Sequence, residues 1–214
     1  MLFVLNHDNS VANHMLKELR DKTLQQDRMR FRNNVEKLGS ILAYEISKRL
    51  MYKQEEVQTP LGKSVVQVLN EQPVLIPVLR AGLPFFQGFQ HFFDQADSGF
   101  IGAYRKEGKG EITINLDYLA APDLEGRQLI LIDPMLATGK SFVKSMNALL
   151  EHGTPAHVHV AALVAAPEGV KFLKEKLNLP CSIYTCALDE RLNEHAYIVP
   201  GLGDAGDLCY GEKL

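Results

Sequence analysis

The sequence predicts an α/β fold: a doubly wound, mainly parallel sheet flanked by helices. Three observations predict it. Apolar runs of strand length recur at 73–79 (PVLIPVL), 129–132 (LILI), 156–164 and 181–188. Such runs, bounded by polar residues, fit strands buried on both faces. Between them lie stretches with helical spacing, such as Phe142, Val143, Met146, Leu149 and Leu150. The repeated order strand–helix–strand then requires parallel pairing through right-handed crossovers. In such a sheet ligands bind beyond the carboxyl ends of the strands.

At 214 residues the chain is long enough for one domain, 1–214, with its own core and room for an arm or hood. Hydrophobic residues make up 46% and charged residues 23%, ordinary for a globular chain. A net charge of -3 implies no general attraction to nucleic acid or to an anionic membrane. Any positive charge for a phosphate must therefore be local. Cys181, Cys186 and Cys209 form no C-x-x-C pair and read as reduced thiols of a cytoplasmic protein. The opening MLFVLNHDNS lacks the basic region of a signal peptide. No apolar run approaches the roughly 20 residues needed to cross a bilayer.

In chain order, residues 2–5 suit a short edge strand. Residues 13–22 suit a helix with Met15, Leu16 and Leu19 on one side. A longer helix carries Phe31, Val35, Leu38, Leu42 and Ile46. Arg20, Lys22, Arg28, Arg30 and Arg32 are dense here and read as a solvated helix surface with i,i+4 pairing. Residues 57–69 turn at Pro60-Leu61-Gly62 and predict a β-hairpin. The run 73–79 ends in Arg80-Ala81-Gly82, a charged residue and a small pair at a strand's carboxyl end. Either a solvent-facing strand end or an anion contact fits that pattern.

Residues 83–93 hold Phe85, Phe86, Phe89, Phe92 and Phe93, which predict core or subunit-interface packing. A strand at 100–104 leads to Arg105. The polar stretch KEGKG (106–110) is expected to be mobile, and a strand resumes over 111–118. His157 and His159 alternate on the strand at 156–164 and are expected to point outward. Pro167, Glu168 and Gly169 open a helix, with proline at its first position and an acid in its first turn. Val170, Leu173 and Leu177 give that helix its buried stripe.

The centre of the chain is residues 128–141, QLILIDPMLATGKS. The apolar strand stops at Asp133. Pro134, Ala137, Thr138 and Gly139 form a tight loop, and helical spacing begins at Phe142. A helix N-terminus points free N–H groups and its dipole at an anion. Thr138 and Ser141 add hydroxyls, and Gly139 allows close approach. The stretch reads as a phosphate cradle beside a carboxylate. A Walker P-loop would also end in GKS, but its first glycine position holds Pro134. An ordinary strand–helix turn is the bland alternative.

IDPMLATGKS (132–141) resembles the signature loop of the type I phosphoribosyltransferases, which bind phosphoribosyl diphosphate. Most of that superfamily carries two adjacent acids at the strand end. Here Asp133 stands alone after Ile132, a variant that resembles the uracil phosphoribosyltransferases. LNEHAYIVPGLGDAGD (192–207) is similar to their uracil-binding segment. VLRAGL (78–83), Tyr104-Arg105, LVAAPEG (163–169) and LGSILAYE (38–45) match as well. The resemblance runs over nearly the whole chain.

It implies a type I phosphoribosyltransferase-like sheet with an N-terminal helical arm, a β-hairpin and flap, and a C-terminal base-binding hood. It implies transfer of the 5-phosphoribosyl group from phosphoribosyl diphosphate to N1 of uracil, giving UMP and diphosphate. Arg80 and Arg105 would hold diphosphate, with Mg²⁺ carried mainly by that substrate. Asp133 would meet the ribose. Pro134, Met135, Leu136, Ala137, Thr138, Gly139, Lys140 and Ser141 would grip the 5′-phosphate. Ile198, Gly203, Asp204 and Ala205 would frame uracil, with Asp204 toward the sugar. Asp133, Asp204 and Arg105 are the catalytic candidates, and His195 is a weak one for the N1 proton. A homodimer, or a higher homo-oligomer, is the assembly implied, and an allosteric nucleotide stays open. Three departures stand out. Lys140 replaces the usual glycine and either strengthens phosphate binding or crowds the loop, and Arg191 and Ala196 replace smaller residues. Calcium at Asp204 and Asp207, an RNA-binding regulator and a purine transferase are the other readings.

Overall fold

The apolar run at 129–132 divides its side chains between two cores. Leu129 and Leu131 face one, Ile130 and Ile132 the other, and all four are fully buried. This is what a strand covered on both faces requires.

The computed structural model describes residues 1–107 and 112–212. In chain order its main elements are β1 (Leu2–Val4), α1 (Ala12–Arg20), α2 (Arg28–Ser47), β2 (Tyr52–Thr59), β3 (Gly62–Leu69), β4 (Val74–Leu79), α3 (Gly82–Gln90), β5 (Phe100–Glu107) and β6 (Ile112–Ala120). Then come β7 (Gln128–Ile132), β8 (Met135–Leu136), α4 (Lys140–Leu149), β9 (His157–Ala165), α5 (Pro167–Lys176), β10 (Cys181–Leu188), β11 (Arg191–Leu192), β12 (Ile198–Val199) and α6 (Ala205–Tyr210).

The main sheet runs β1-β10-β9-β7-β4-β5-β6, with β8 beside β9. Its pairs are parallel except β5 with β6. The crossover from β4 through α3 leads outward to β5. That from β7 through α4 leads the other way, to β9. The winding therefore reverses between β4 and β7, which pair with Pro77 opposite Ile132. A crevice opens at such a reversal, and Arg80 and Asp133 leave the two strands there.

Helices α1, α2 and α3 cover one face, where Leu16, Leu38, Phe85 and Phe89 meet Ile130 and Leu163. Helices α4 and α5 cover the other, where Phe142, Met146 and Leu173 meet Leu129 and Val160. Ile198, Leu202, Ala205 and Cys209 join the first core, so the C-terminal segment is rooted beside α1 and α2. The β2–β3 hairpin forms a sheet of its own. The phenylalanines of 83–93 are buried except Phe92. The stretch expected to be mobile, 106–110, lies largely outside the described residues.

One expectation is corrected here. His159 does not point outward, being only 2% exposed. Strand β9 lies between β7 and β10, with helices over both faces, so beyond the half-buried His157 at its start neither side of it reaches solvent. His159 Nε2 lies 3.0 Å from Gln128 Oε1, while Nδ1 is buried without a partner. Desolvation, helped by neighbouring His157, pushes its pKa from 6.5 down to about 3. The unfolded chain therefore takes up a proton near pH 6.5 that the native state refuses. The stability from the neutral ring is complete above pH 6.5 and is lost as pH falls toward about 3. Denaturant unfolding should show stability falling below pH 6.5 at up to about 1.4 kcal/mol per pH unit. His159→Leu should flatten that limb. Equal slopes in both proteins would refute it.

All three cysteines are free. Burial raises the Cys181 thiol to about 11 and the Cys209 thiol to about 12, and raises Cys186 as well.

Candidate active site

Three segments meet at the crevice. The first is the turn after β4. The Leu79–Arg80 peptide is cis. Arg80 Nη2 donates to Asp207 Oδ1 at 3.0 Å and to the Gly211 carbonyl at 3.3 Å. A Cβ on Gly206 would sit 3.1 Å from Asp204 Oδ1 and 3.6 Å from Arg80 Nη2. Arg80 and Asp204 thus border the same turn of α6.

The second is the loop after β7. The Asp133 N–H donates to the Ala161 carbonyl at 3.1 Å, extending the ladder by one residue. Its Oδ1 accepts the Met135 N–H at 3.1 Å, a local turn that short acids favour. The Pro134 carbonyl accepts the N–H groups of Leu163 and Val164, and the Leu136 carbonyl that of Ala166. The loop is thereby stitched along β9 as β8.

Helix α4 begins at Lys140, two residues before the sequence pattern suggests, with Gly139 as its N-cap at φ 75°. The left-handed residue is therefore Gly139 and not Lys140. Lys140 takes ordinary helical backbone, and its side chain is exposed, so it does not crowd the loop. Its N–H reaches Thr138 Oγ1 at 3.3 Å. Helix geometry leaves the other N–H groups of the first turn without intrahelical partners, an arrangement suited to binding an anion.

This loop rests on α5. A Cβ on Gly169 would lie 2.2 Å from the Ala137 carbonyl oxygen, and one on Gly139 would lie 2.9 Å from the Gly169 oxygen. Beside it, Glu168 Oε1 accepts the Leu192 N–H at 3.0 Å. That hydrogen bond heads the causes that lower the Glu168 pKa. The tripeptide Pro167-Glu168-Gly169 thus touches both the phosphate-type loop and the C-terminal hood.

The hood is the third segment. Strands β11 and β12 pair antiparallel, Leu192 opposite Ile198. Asn193 Oδ1 accepts the N–H groups of His195 and Tyr197 across the connecting turn. Ala196 sits there at φ 60°, a conformation that costs a non-glycine residue roughly 1–2 kcal/mol. A smaller residue would suit this position better. Ile198 and Ala205 are buried, and Gly203 has φ 94°. Residues 205–210 form helix α6 where the sequence suggests only loop. Asp204 is its N-cap and accepts the Asp207 N–H at 3.0 Å.

Arg80, Asp133 and Asp204 are therefore brought to one crevice. Arg105 stands on β5, but its side chain lies outside the described residues. His195 lies on the exposed turn, 3.5 Å from Glu194. The basic residues of α1 and α2 are corrected in part. Arg20 binds Asp189 in two places, and Arg32 Nη1 donates to the Cys209 carbonyl at 2.7 Å. Sequence reasoning missed Asp189, Asp207, Glu168 and Gly169 in supporting roles. For Asp189 a signal existed, since it follows a buried strand just as Asp133 does. Among the described residues no three His, Cys, Asp or Glu side chains cluster as a metal cage. No described helix is long and apolar enough to cross a membrane.

A family model described as uracil phosphoribosyltransferase matches residues 6–212. The chain belongs to the uracil phosphoribosyltransferase family. A uracil phosphoribosyltransferase of Porphyromonas gingivalis is 44% identical to it over 211 residues, covering 98% of each chain. One from Lactococcus lactis subsp. cremoris is 40% identical over 210 residues, covering 96% of this chain and 97% of the other. Among solved structures, the AQ2163 protein from Aquifex aeolicus is similar, with a TM-score of 0.88 and 34% identity over 99% of this chain and 98% of that one. The uracil phosphoribosyltransferase match spans the helical arm and the hood as well as the sheet.

Proposed function

We propose that the chain transfers the 5-phosphoribosyl group of phosphoribosyl diphosphate to N1 of uracil, giving UMP and diphosphate, a pyrimidine salvage reaction. One observation carries the reading in addition to family membership. The winding reversal sets Arg80 beside the Asp133 loop, and Asp204 caps the turn of α6 that Arg80 borders.

In this reading the bond from C1′ to the diphosphate oxygen breaks, and its electron pair leaves with diphosphate. The N1–C1′ bond forms, and the N1 proton departs. The ribosyl carbon gains oxocarbenium character on the way. Arg80 neutralises diphosphate oxygens through donors not occupied by Asp207, since a guanidinium has five. Arg105 is assigned to the same anion from its place on β5. Asp133 binds ribose hydroxyls and balances the positive ring. The backbone and hydroxyls of residues 134–141 hold the 5′-phosphate. Backbone groups at Ile198, Gly203 and Ala205 read the base edge. A carbonyl facing N3–H and an N–H facing O4 accept uracil, whereas cytosine would leave both unpaired at about 1–3 kcal/mol each.

Asp133 and Asp204 are hard oxygen donors of the kind Mg²⁺ takes, one or two at a time, alongside substrate phosphates. Bound with diphosphate, Mg²⁺ would neutralise the charge of the leaving group.

A homodimer fits the β2–β3 hairpin, which leaves Leu61 100% and Val65 62% exposed. A lone two-stranded hairpin is marginal in water and gains from a covering surface. Three free, buried or half-buried thiols suit a cytoplasmic setting.

The test is to incubate the purified protein, whose mass in solution is expected to be that of a dimer of 23.9 kDa subunits, with phosphoribosyl diphosphate, Mg²⁺ and one base at a time. Uracil should give UMP, while cytosine, hypoxanthine and orotate should give no nucleotide. Turnover of hypoxanthine would favour a purine transferase. Folded protein inactive with every base would overturn the enzymatic reading.

A further inference from the structure

Asp189 is the first residue beyond β10, and its side chain is 5% exposed. Its backbone is fixed by an N–H bond to the Ala165 carbonyl at 2.8 Å. Oδ1 accepts Arg20 Nη2 at 2.5 Å, and Oδ2 accepts Arg20 Nη1 at 2.9 Å. Oδ2 also accepts the Gly201 N–H at 2.7 Å. Arg20 Nη1 donates in addition to the Gly201 carbonyl at 3.1 Å. Both backbone polar groups of Gly201 are thus taken by one ion pair, its carboxylate buried and its guanidinium half-buried. With its amide turned to present nitrogen, Gln25 reaches the carbonyls of Leu202 at 3.0 Å and Leu19 at 2.9 Å.

Gly201 lies between the two parts of the hood, after Ile198 and before Gly203. Its φ of 62° and its closeness to the Ile198 carbonyl admit no side chain there. The end of α1, the end of β10 and the middle of the hood are thereby joined at one point.

We propose that Asp189 and Arg20 form a clamp on Gly201 that sets the base-reading backbone, so that they govern affinity for uracil without touching it. The inference rests on the uracil reading given above. They are positioning residues. An ion pair suits this task because a bidentate arginine–carboxylate fork fixes direction as well as distance. Backbone donors and acceptors for a base edge must hold their places closely, since a misplacement of about 1 Å costs on the order of 100-fold.

The test uses Asp189→Asn and Arg20→Lys in the full-length protein. Asp189→Asn removes the charge and keeps one acceptor for Gly201. Arg20→Lys keeps the ion pair and loses the fork, so it decides the matter if the first variant fails to fold. Both should raise the KM for uracil by about tenfold to 100-fold. The KM for phosphoribosyl diphosphate, and kcat at saturating uracil, should stay within about twofold of wild type, less than the 1.4 kcal/mol that a tenfold change represents. Hydrogen exchange at the Gly201 amide should speed up in Asp189→Asn. A merely structural pair would lower thermal stability and leave the uracil KM unmoved, which would overturn the clamp. If the wild-type protein itself makes no UMP, the uracil reading has failed and the clamp fails with it. If the wild type makes UMP and the variants match its uracil KM, only the clamp is lost.

Discussion

Asp133→Asn should lower kcat for UMP formation by about 100-fold or more while leaving the fold intact. The replacement is nearly isosteric. Acceptance of the Met135 N–H by Oδ1 can pass to the asparagine oxygen. The backbone bond to Ala161 is untouched. What disappears is the negative charge at the winding reversal, where the ribosyl ring would gain positive charge. Removing one preoriented electrostatic group from an active site costs about 10²–10³-fold. The loss should fall on kcat more than on KM, because the charge develops only on the way to the transition state. Steady-state kinetics with phosphoribosyl diphosphate and uracil, together with a melting curve, check this. A variant within threefold of wild type would remove Asp133 from the chemistry.

Much of that geometry is legible in the sequence because it is local. A buried run, an acid, a small-residue loop and a helical period follow one another within 128–141, and α4, β7 and the loop match that order. Helix α6 is not legible. It has six residues, and the glycines around it dominate the pattern, although Asp204 with Asp207 three positions on carries the mark of an N-cap. Arg20 reads as surface because local spacing can offer a helical arginine only partners a turn away. Its partner is 169 positions distant, and only the folding of α1 against the end of β10 reveals it. His159 misleads for a similar reason. Alternation gives a strand two faces, but whether either meets water depends on its neighbours in the sheet. The risk that Lys140 poses in the sequence comes from a backbone conformation that belongs to the residue before it.

Gly169→Ala should reduce kcat/KM for phosphoribosyl diphosphate by about 100-fold, though the residue touches no substrate in our reading. A Cβ there would sit 2.2 Å from the Ala137 oxygen and 3.0 Å from both the Ala137 carbon and the Leu136 oxygen. These are backbone atoms, so no side-chain rotation relieves the overlap. One partner must move by roughly 1 Å to restore ordinary contact, enough to spoil a preorganised anion site. Strand β8 holds the loop on β9, while α5 is tied to the hood through Glu168 and Leu192. Displacing the loop disturbs the phosphate cradle, and displacing α5 disturbs the base-reading strand. Both routes lower activity, and overpacking also costs about 1–3 kcal/mol of stability. Gly126→Ala separates the two effects. Gly126 has φ 68°, and a Cβ added to it would meet nothing within 4 Å. Its alanine variant therefore loses stability through backbone strain and should keep full activity. If Gly169→Ala also keeps its activity, the cradle does not depend on its seat against α5. If Gly126→Ala loses as much activity as Gly169→Ala, general destabilisation and not loop position accounts for both.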